Sequence, residues 1–231
     1  TDGRIRRVND VPGVAEAEDL VVRAARLLQA HTGCTLGADI TVHKVLPMGG
    51  GIGGGSSDAA TTLIALNRLW GTGLSRVELQ ALGLQLGADV PVFIFGQDAF
   101  AEGVGEALQP LALPPACYVV VSPGVSVPTA EIFSAEDLTR NTAPIKMADF
   151  AASTTRNDLQ AVACSRYPEV QRAIDWLGAH APAMMTGSGA CVFAEVPSEA
   201  EADRIAKSCP PRWKAWKVRS LTRHPLYEWL Q

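Results

Sequence analysis

The stretch Pro47-Met-Gly-Gly-Gly-Ile-Gly-Gly-Gly-Ser-Ser-Asp-Ala-Ala60 holds six glycines and two serines immediately before a run compatible with a helix. Glycine tolerates positive φ and lets backbone come close to a ligand, so successive N–H groups can turn inward as an anion-binding nest. A helix that follows directly adds its own unpaired N–H groups and about half a unit of positive charge at its N-terminus. The stretch therefore reads as a loop wrapped around phosphate groups. A glycine linker has a similar composition, but linkers are not flanked by an alternating strand and a capped helix.

Two better-known phosphate loops do not fit. Gly50 to Gly55 has the P-loop spacing, yet Ser56 stands where that motif needs a lysine to reach the β- and γ-phosphates. Gly49, Gly51 and Gly54 meet the dinucleotide fingerprint formally. The helical pattern after them runs through Asn67 to Trp70, with no second strand ending in an acid about 20 residues further on.

Upstream of the loop, Leu20, Val21, Ala24, Leu27 and Leu28 recur with helical period between Glu16 and His31, and Gly33 follows as a stop. Ile40 and Val42 alternate with Thr41 and His43, which predicts a strand over 39–45 feeding the loop. Downstream, Ala59, Leu63, Leu66 and Trp70 share one face of a helix capped by Ser56 or a neighbouring glycine. Ser75 and Glu78 form a capping box for a helix ending near Gly87, which delivers Gly87-Ala-Asp-Val-Pro-Val-Phe93.

Residues 119–121 read as a short buried strand, and Pro123 and Pro128 bracket a loop leading to Thr129 and Phe133. Residues 147–181 read as mostly helical. The remainder reads as a strand over 183–186, a Gly187-Ser-Gly189 turn, a strand over 190–196, a helix capped by Ser198 with Glu201, and a strand over 213–221. Such a β-turn-β-α-β run folds as a split β-α-β layer with helices on one face of an antiparallel sheet, so the class is α+β. A division near 122–145 separates two lobes, taken as 1–122 and 123–231.

The composition, with 47% hydrophobic residues in a chain of 231, is that of an ordinary globular enzyme. A net charge of −4 argues against nonspecific binding to nucleic acid or to an anionic membrane. Five scattered cysteines without a C-x-x-C pair read as reduced thiols of a cytoplasmic protein. Four histidines make no ligand spacing, so no set of protein ligands for a metal can be read. No apolar run reaches the length of a membrane-spanning helix, and nothing in the sequence sets an oligomeric state.

The glycine stretch and the later Thr186-Gly-Ser-Gly-Ala190 together resemble the second and third motifs of the GHMP family of small-molecule kinases. Lys44-Val-Leu-Pro ahead of the loop, Leu86-Gly-Ala-Asp-Val-Pro-Val-Phe93, Phe100-Ala-Glu-Gly-Val-Gly-Glu106 and Thr186-Gly-Ser-Gly-Ala-Cys-Val-Phe193 are similar to its branch acting on diphosphocytidyl methylerythritol. The likeness covers essentially the whole chain. It implies a two-lobed fold, with an N-terminal lobe of the ribosomal protein S5 domain 2-like type and a C-terminal lobe with a ferredoxin-like split β-α-β layer. It also implies ATP and Mg²⁺ as cofactors and transfer of a phosphoryl group to the 2-hydroxyl of the acceptor, in the non-mevalonate route to isoprenoid precursors.

Residue by residue, the resemblance implies that Asp89 activates the acceptor hydroxyl, since a carboxylate can position and accept the proton of an alcohol too weakly acidic to ionise. On spacing alone, an aspartate beside Gly87 is more often a turn or capping residue. The nucleotide set implied is Lys44, Pro47, Met48, Gly49, Gly50, Gly51, Ile52, Gly53, Gly54, Gly55, Ser56 and Ser57, with Asp19 where the family commonly has an asparagine beside the base. A carboxylate at 19 lacks the amide's donor. Asp58, whose charge repels a triphosphate, is expected to point away.

Val104, Thr129 and Phe133 match positions lining the cytidyl and methylerythritol pocket, and Thr186, Gly187, Ser188 and Gly189 form a turn near the phosphates. The family begins with a strand carrying a lysine for the transferred phosphoryl group and a Tyr-His pair for the cytosine, which these 231 residues do not supply. Poor activity, or none, of the 231 residues alone is therefore expected. Two alternatives stay open: another kinase of the family, with a mevalonate or homoserine acceptor, and a nucleotide-binding protein that kept the fold and lost catalysis.

Overall fold

Hydrophobic burial divides the chain into two compact units, one made of residues 1–45, 53–113 and 221–231, the other of residues 46–52 and 114–220. The computed structural model describes residues 2–152 and 155–230. Mixed helix and antiparallel sheet give the α+β class expected.

In the first unit, β1 (Ile5–Arg7) pairs in parallel with β2 (Ala38–Ile40). Between them runs α1 (Leu20–Thr32), closed by Gly33 in the left-handed conformation as its position predicted. The strand expected over 39–45 stops at Ile40. Beyond it the Asn9 side chain takes over the pairing, its Nδ2 donating to the Val42 carbonyl (2.9 Å) and its Oδ1 accepting from the Val42 amide (2.9 Å). One amide side chain thereby satisfies both backbone groups that a ladder would have paired.

Next come α2 (Gly54–Trp70), α3 (Arg76–Leu84) and α4 (Val90–Phe95), then a hairpin of β3 (Ala99–Glu102) and β4 (Ala107–Pro110). The capping box of α3 is present in full, with Glu78 accepting from the Ser75 amide at 2.8 Å and the Ser75 hydroxyl accepting from the Glu78 amide at 3.3 Å. Val22, Leu28, Leu63, Leu79, Val90 and Ile94 form the centre of the core between these helices.

The second unit is built on β5 (Cys117–Ser122). Later in the chain come α5 (Thr129–Phe133), α6 (Gln160–Arg166), α7 (Pro168–Gly178), β6 (Ala183–Met185), β7 (Val192–Val196), α8 (Glu199–Lys207) and β8 (Lys214–Arg219). The four strands make one antiparallel sheet in the order β6-β7-β5-β8. Val119, Val121, Val192 and Ala194 alternate onto the face buried against Val162, Val170, Leu177 and Ile205 of the helices. The other face carries Tyr118, Val120, Phe193 and Val218, which with Ile52 and Thr186 line a groove of about 330 Å³. Within the helical stretch expected over 147–181, residues 153 and 154 lie outside the described residues.

A single cut after residue 122 does not match these units. Pro114 and Pro115 break the chain before β5, so that strand joins the second core. The last eleven residues return to the first unit, where the His224 amide donates to the Gly96 carbonyl (2.8 Å) and the Arg76 guanidinium stacks on the Tyr227 ring at 4.0 Å.

Candidate functional site

The glycine loop contributes to both units, its residues 46–52 to the second and its end from Gly53 onward to the first. Gly49, Gly51 and Gly53 all adopt left-handed φ, at 68°, 69° and 67°. This alternation is the backbone pattern in which neighbouring N–H groups can face one anion.

Within the second unit the two glycine motifs are one object. The Thr186 hydroxyl donates to the Gly51 carbonyl (3.0 Å) and the Cys191 amide donates to the Gly50 carbonyl (3.0 Å). A Cβ at Gly51 would stand 2.4 Å from the Thr186 oxygen and 2.8 Å from the Gly189 nitrogen, so position 51 needs glycine for space as well as for φ. The buried Ser188 hydroxyl shares a 2.8 Å hydrogen bond with Thr129 Oγ1 at the start of α5.

Phe133, at the other end of α5, is 53% exposed and so is not a core residue. The helix is held from beneath by the Tyr167 hydroxyl, which donates to Glu131 Oε2 (2.7 Å). That bond to a carboxylate pushes the Tyr167 pKa up. Cys191 is fully buried beside Gly50, and burial pushes its thiol up against the opposing effect of a Ser122 hydrogen bond. It is a neutral packing group and not a nucleophile.

Two side chains that sequence reading passed over brace the 186–189 turn. Asn157 Nδ2 donates to the carbonyls of Met185 (2.9 Å) and Gly187 (2.8 Å), and Gln160 Oε1 accepts from the Met185 amide (2.9 Å). The only local signal was an asparagine two residues ahead of Leu159, whose amide its Oδ1 accepts (3.0 Å) in an Asx turn.

In the first unit, α2 is capped by Gly53, the neighbouring glycine of the two candidates, and Ser56 is a first-turn residue. The hydroxyls of Ser56 and Ser57 have no side-chain partner among the described residues. A helix start of this kind, with free amides and two free hydroxyls, suits an oxyanion. Gly53 lies against the ring of Phe93, where a Cβ would come within 3.1 Å of Cζ, and this ties the start of α2 to α4.

Asp89 immediately precedes α4. It is exposed, makes no capping bond, and its carboxylate has no hydrogen-bond partner among the described residues. The capping role that spacing alone favoured is therefore not the one it fills. A Cβ at Gly105 would stand 3.0 Å from the Ala88 carbonyl, which sets the turn of the β3–β4 hairpin, with its exposed Val104, beside Asp89. Glu106 closes that turn by accepting from the Val104 amide (2.7 Å).

Lys44 is paired with Asp58, Nζ to Oδ2, at 2.5 Å. Asp19, assigned by resemblance to the nucleotide set, sits at the N-cap of α1. Its carboxylate is buried, with Oδ1 accepting from the Val21 amide (3.1 Å) and Oδ2 paired with Arg7 (2.8 Å), itself buried. One oxygen caps α1 and the other neutralises Arg7, a pairing that needs a carboxylate and that an amide could not supply.

Family models for the GHMP kinases N terminal domain and the GHMP kinases C terminal match residues 19–97 and 136–214. The 4-diphosphocytidyl-2-C-methyl-D-erythritol kinase of Azoarcus sp. is 77% identical over 226 residues, covering 98% of this chain and 80% of that protein. Its namesake from Aromatoleum aromaticum is 71% identical over 229 residues, covering 99% and 81%. A crystal structure of 4-(cytidine 5'-diphospho)-2C-methyl-D-erythritol kinase superposes with a TM-score of 0.77 at 33% identity, covering 94% of this chain and 81% of that one.

Proposed function

Because the chain belongs to the GHMP kinase family, we propose that it transfers the γ-phosphoryl group of ATP to the 2-hydroxyl of 4-diphosphocytidyl-2-C-methyl-D-erythritol. The observation that carries this reading is Asp89, an exposed carboxylate at the start of α4 with no hydrogen-bond partner among the described residues. Its role is to accept the proton of the acceptor hydroxyl and to orient that oxygen for attack.

The residues present suit a magnesium–triphosphate group. Space at Gly51 is already taken by the 186–189 turn, so the loop keeps its backbone bare, and the first turn of α2 offers free amides beside the Ser56 and Ser57 hydroxyls. Bound there, ATP supplies the phosphoryl group and Mg²⁺ neutralises charge on its oxygens. The Gly49–Ser57 backbone would hold the phosphates, and one of the two serine hydroxyls would face the metal. Val104, Thr129 and Phe133 would bind the acceptor, the exposed ring of Phe133 offering a face for a base. Unpaired cysteines at all five positions support a cytoplasmic setting.

The test is a coupled ADP-release assay offering the diphosphocytidyl alcohol, mevalonate and homoserine in parallel. Turnover with the first alone is expected, at a low rate from these 231 residues by themselves. Turnover with another acceptor and none with the first would replace the substrate, and ATP binding without turnover on any of them would favour a nucleotide-binding protein.

A further inference from the structure

We propose that Asn157 is a positioning residue for the nucleotide loop, acting through the 186–189 turn; the inference rests on the kinase reading above for the identity of the ligand. No ligand contact is needed for this role. Asn157 sits ahead of α6 and divides its side chain between two tasks. Its Oδ1 accepts from Leu159 and so anchors the residue to its own helix. Its Nδ2 reaches the carbonyls of Met185 and Gly187, at the two sides of Thr186.

The Thr186 hydroxyl in turn donates to Gly51, and the Cys191 amide, just after the turn, donates to Gly50. The same turn stands where any side chain on Gly51 would have to go. A shift at Asn157 is thus passed by direct hydrogen bonds to the middle of the loop. Positioning errors of about 1 Å at a reacting group cost on the order of 100-fold in rate, so this brace matters more than two ordinary hydrogen bonds.

The amide is specifically required. Aspartate has the same shape and preserves the Leu159 bond, but it aims a carboxylate oxygen at two carbonyl oxygens. Protonation restores one donor, and the crowding of acceptors holds such a group's pKa above the usual carboxylate range. Asn157→Asp is therefore a variant whose defect reverses with acid, whereas Asn157→Ala has nothing to protonate.

The experiment measures kcat/KM for ATP and binding of a non-hydrolysable ATP analogue from pH 8 to pH 5.5, with amide hydrogen exchange at Cys191 followed in the same samples. All are done at temperatures where melting shows each variant folded. At pH 8, Asn157→Asp is expected to lower kcat/KM for ATP about 30-fold and to lose protection at Cys191. It should recover relative to wild type as pH falls, and Asn157→Ala should show a loss of about 10-fold at every pH.

Wild-type kinetics and unchanged Cys191 protection in Asn157→Asp at pH 8 would overturn the inference, as would parallel pH profiles of the two variants. Loss of Cys191 protection in Asn157→Asp, with no binding of the ATP analogue by the wild type either, would uphold the brace and overturn the nucleotide reading alone.

Discussion

The starts of α1 and α4 each present an aspartate, and the two are used in opposite ways. At Asp19 both carboxylate oxygens are engaged, one by the Val21 amide and one by the buried Arg7 guanidinium. At Asp89 the carboxylate stands in solvent, and the helix start lacks any side-chain cap. A buried charge whose hydrogen bonds are complete belongs to the fold, because exposing either partner alone is costly. A carboxylate held on a rigid helix start with no partner is available to a ligand.

The sharpest way to break this contrast is Asp89→Asn, which keeps the shape and removes the base. Turnover should fall by roughly 100- to 10,000-fold while the melting temperature and ATP binding stay close to wild type. A variant that retained turnover would remove Asp89 from the chemistry and erase the comparison.

Asp19→Ala should do the reverse. It removes the cap of α1 and leaves Arg7 buried without its counter-charge, with an expected loss of about 3–5 kcal/mol in denaturant unfolding. Activity per folded molecule should be retained. Loss of turnover in a protein of unchanged stability would place Asp19 in the nucleotide site instead.

Acid sharpens the contrast from the far end of α4, by the smallest of these effects. His224 Nδ1 accepts from the Leu226 amide (3.1 Å), its amide donates to the Gly96 carbonyl that closes α4, and burial lowers its pKa. A lowered folded-state pKa means that protonation favours the unfolded state. Its contribution is complete above the unfolded value of about 6.5 and is lost as pH falls through the lowered folded value. Hydrogen exchange at the His224 and Gly96 amides should accelerate as pH is lowered below about 6.5, once corrected for intrinsic rates, and that at Arg23 in α1 should not. His224→Gln should abolish the acid sensitivity, and a persistent one would assign it to another group.

Much of the fold could be read along the chain because its causes are local. Gly33 stops α1, Ser75 with Glu78 starts α3, and Ser198 caps α8 where Glu201 predicted it. The apolar run Val119–Val121 marked a strand, and the structure buries Val119 and Val121 while turning Val120 to the other face. Failures came where a distant residue supplied the missing partner. Asn9 ended β2 early by pairing with Val42, and Arg76 with Tyr227 drew the end of the chain back to the first unit.

The candidate site divides along the same line. By itself the sequence determined that six glycines precede a helix, that an aspartate follows Gly87 in a Gly-Ala-Asp-Val-Pro run, and which family these motifs resemble, since spacing and residue type carry that information. Tertiary structure alone decided what each group is free to do. It joined Gly51 to Thr186 across 135 positions, committed Asp19 to Arg7, and left the Asp89 carboxylate without a hydrogen-bond partner among the described residues. Hydrogen bonding between residues distant in sequence is a property of the folded neighbourhood, and no local pattern encodes which remote acceptor will find a donor.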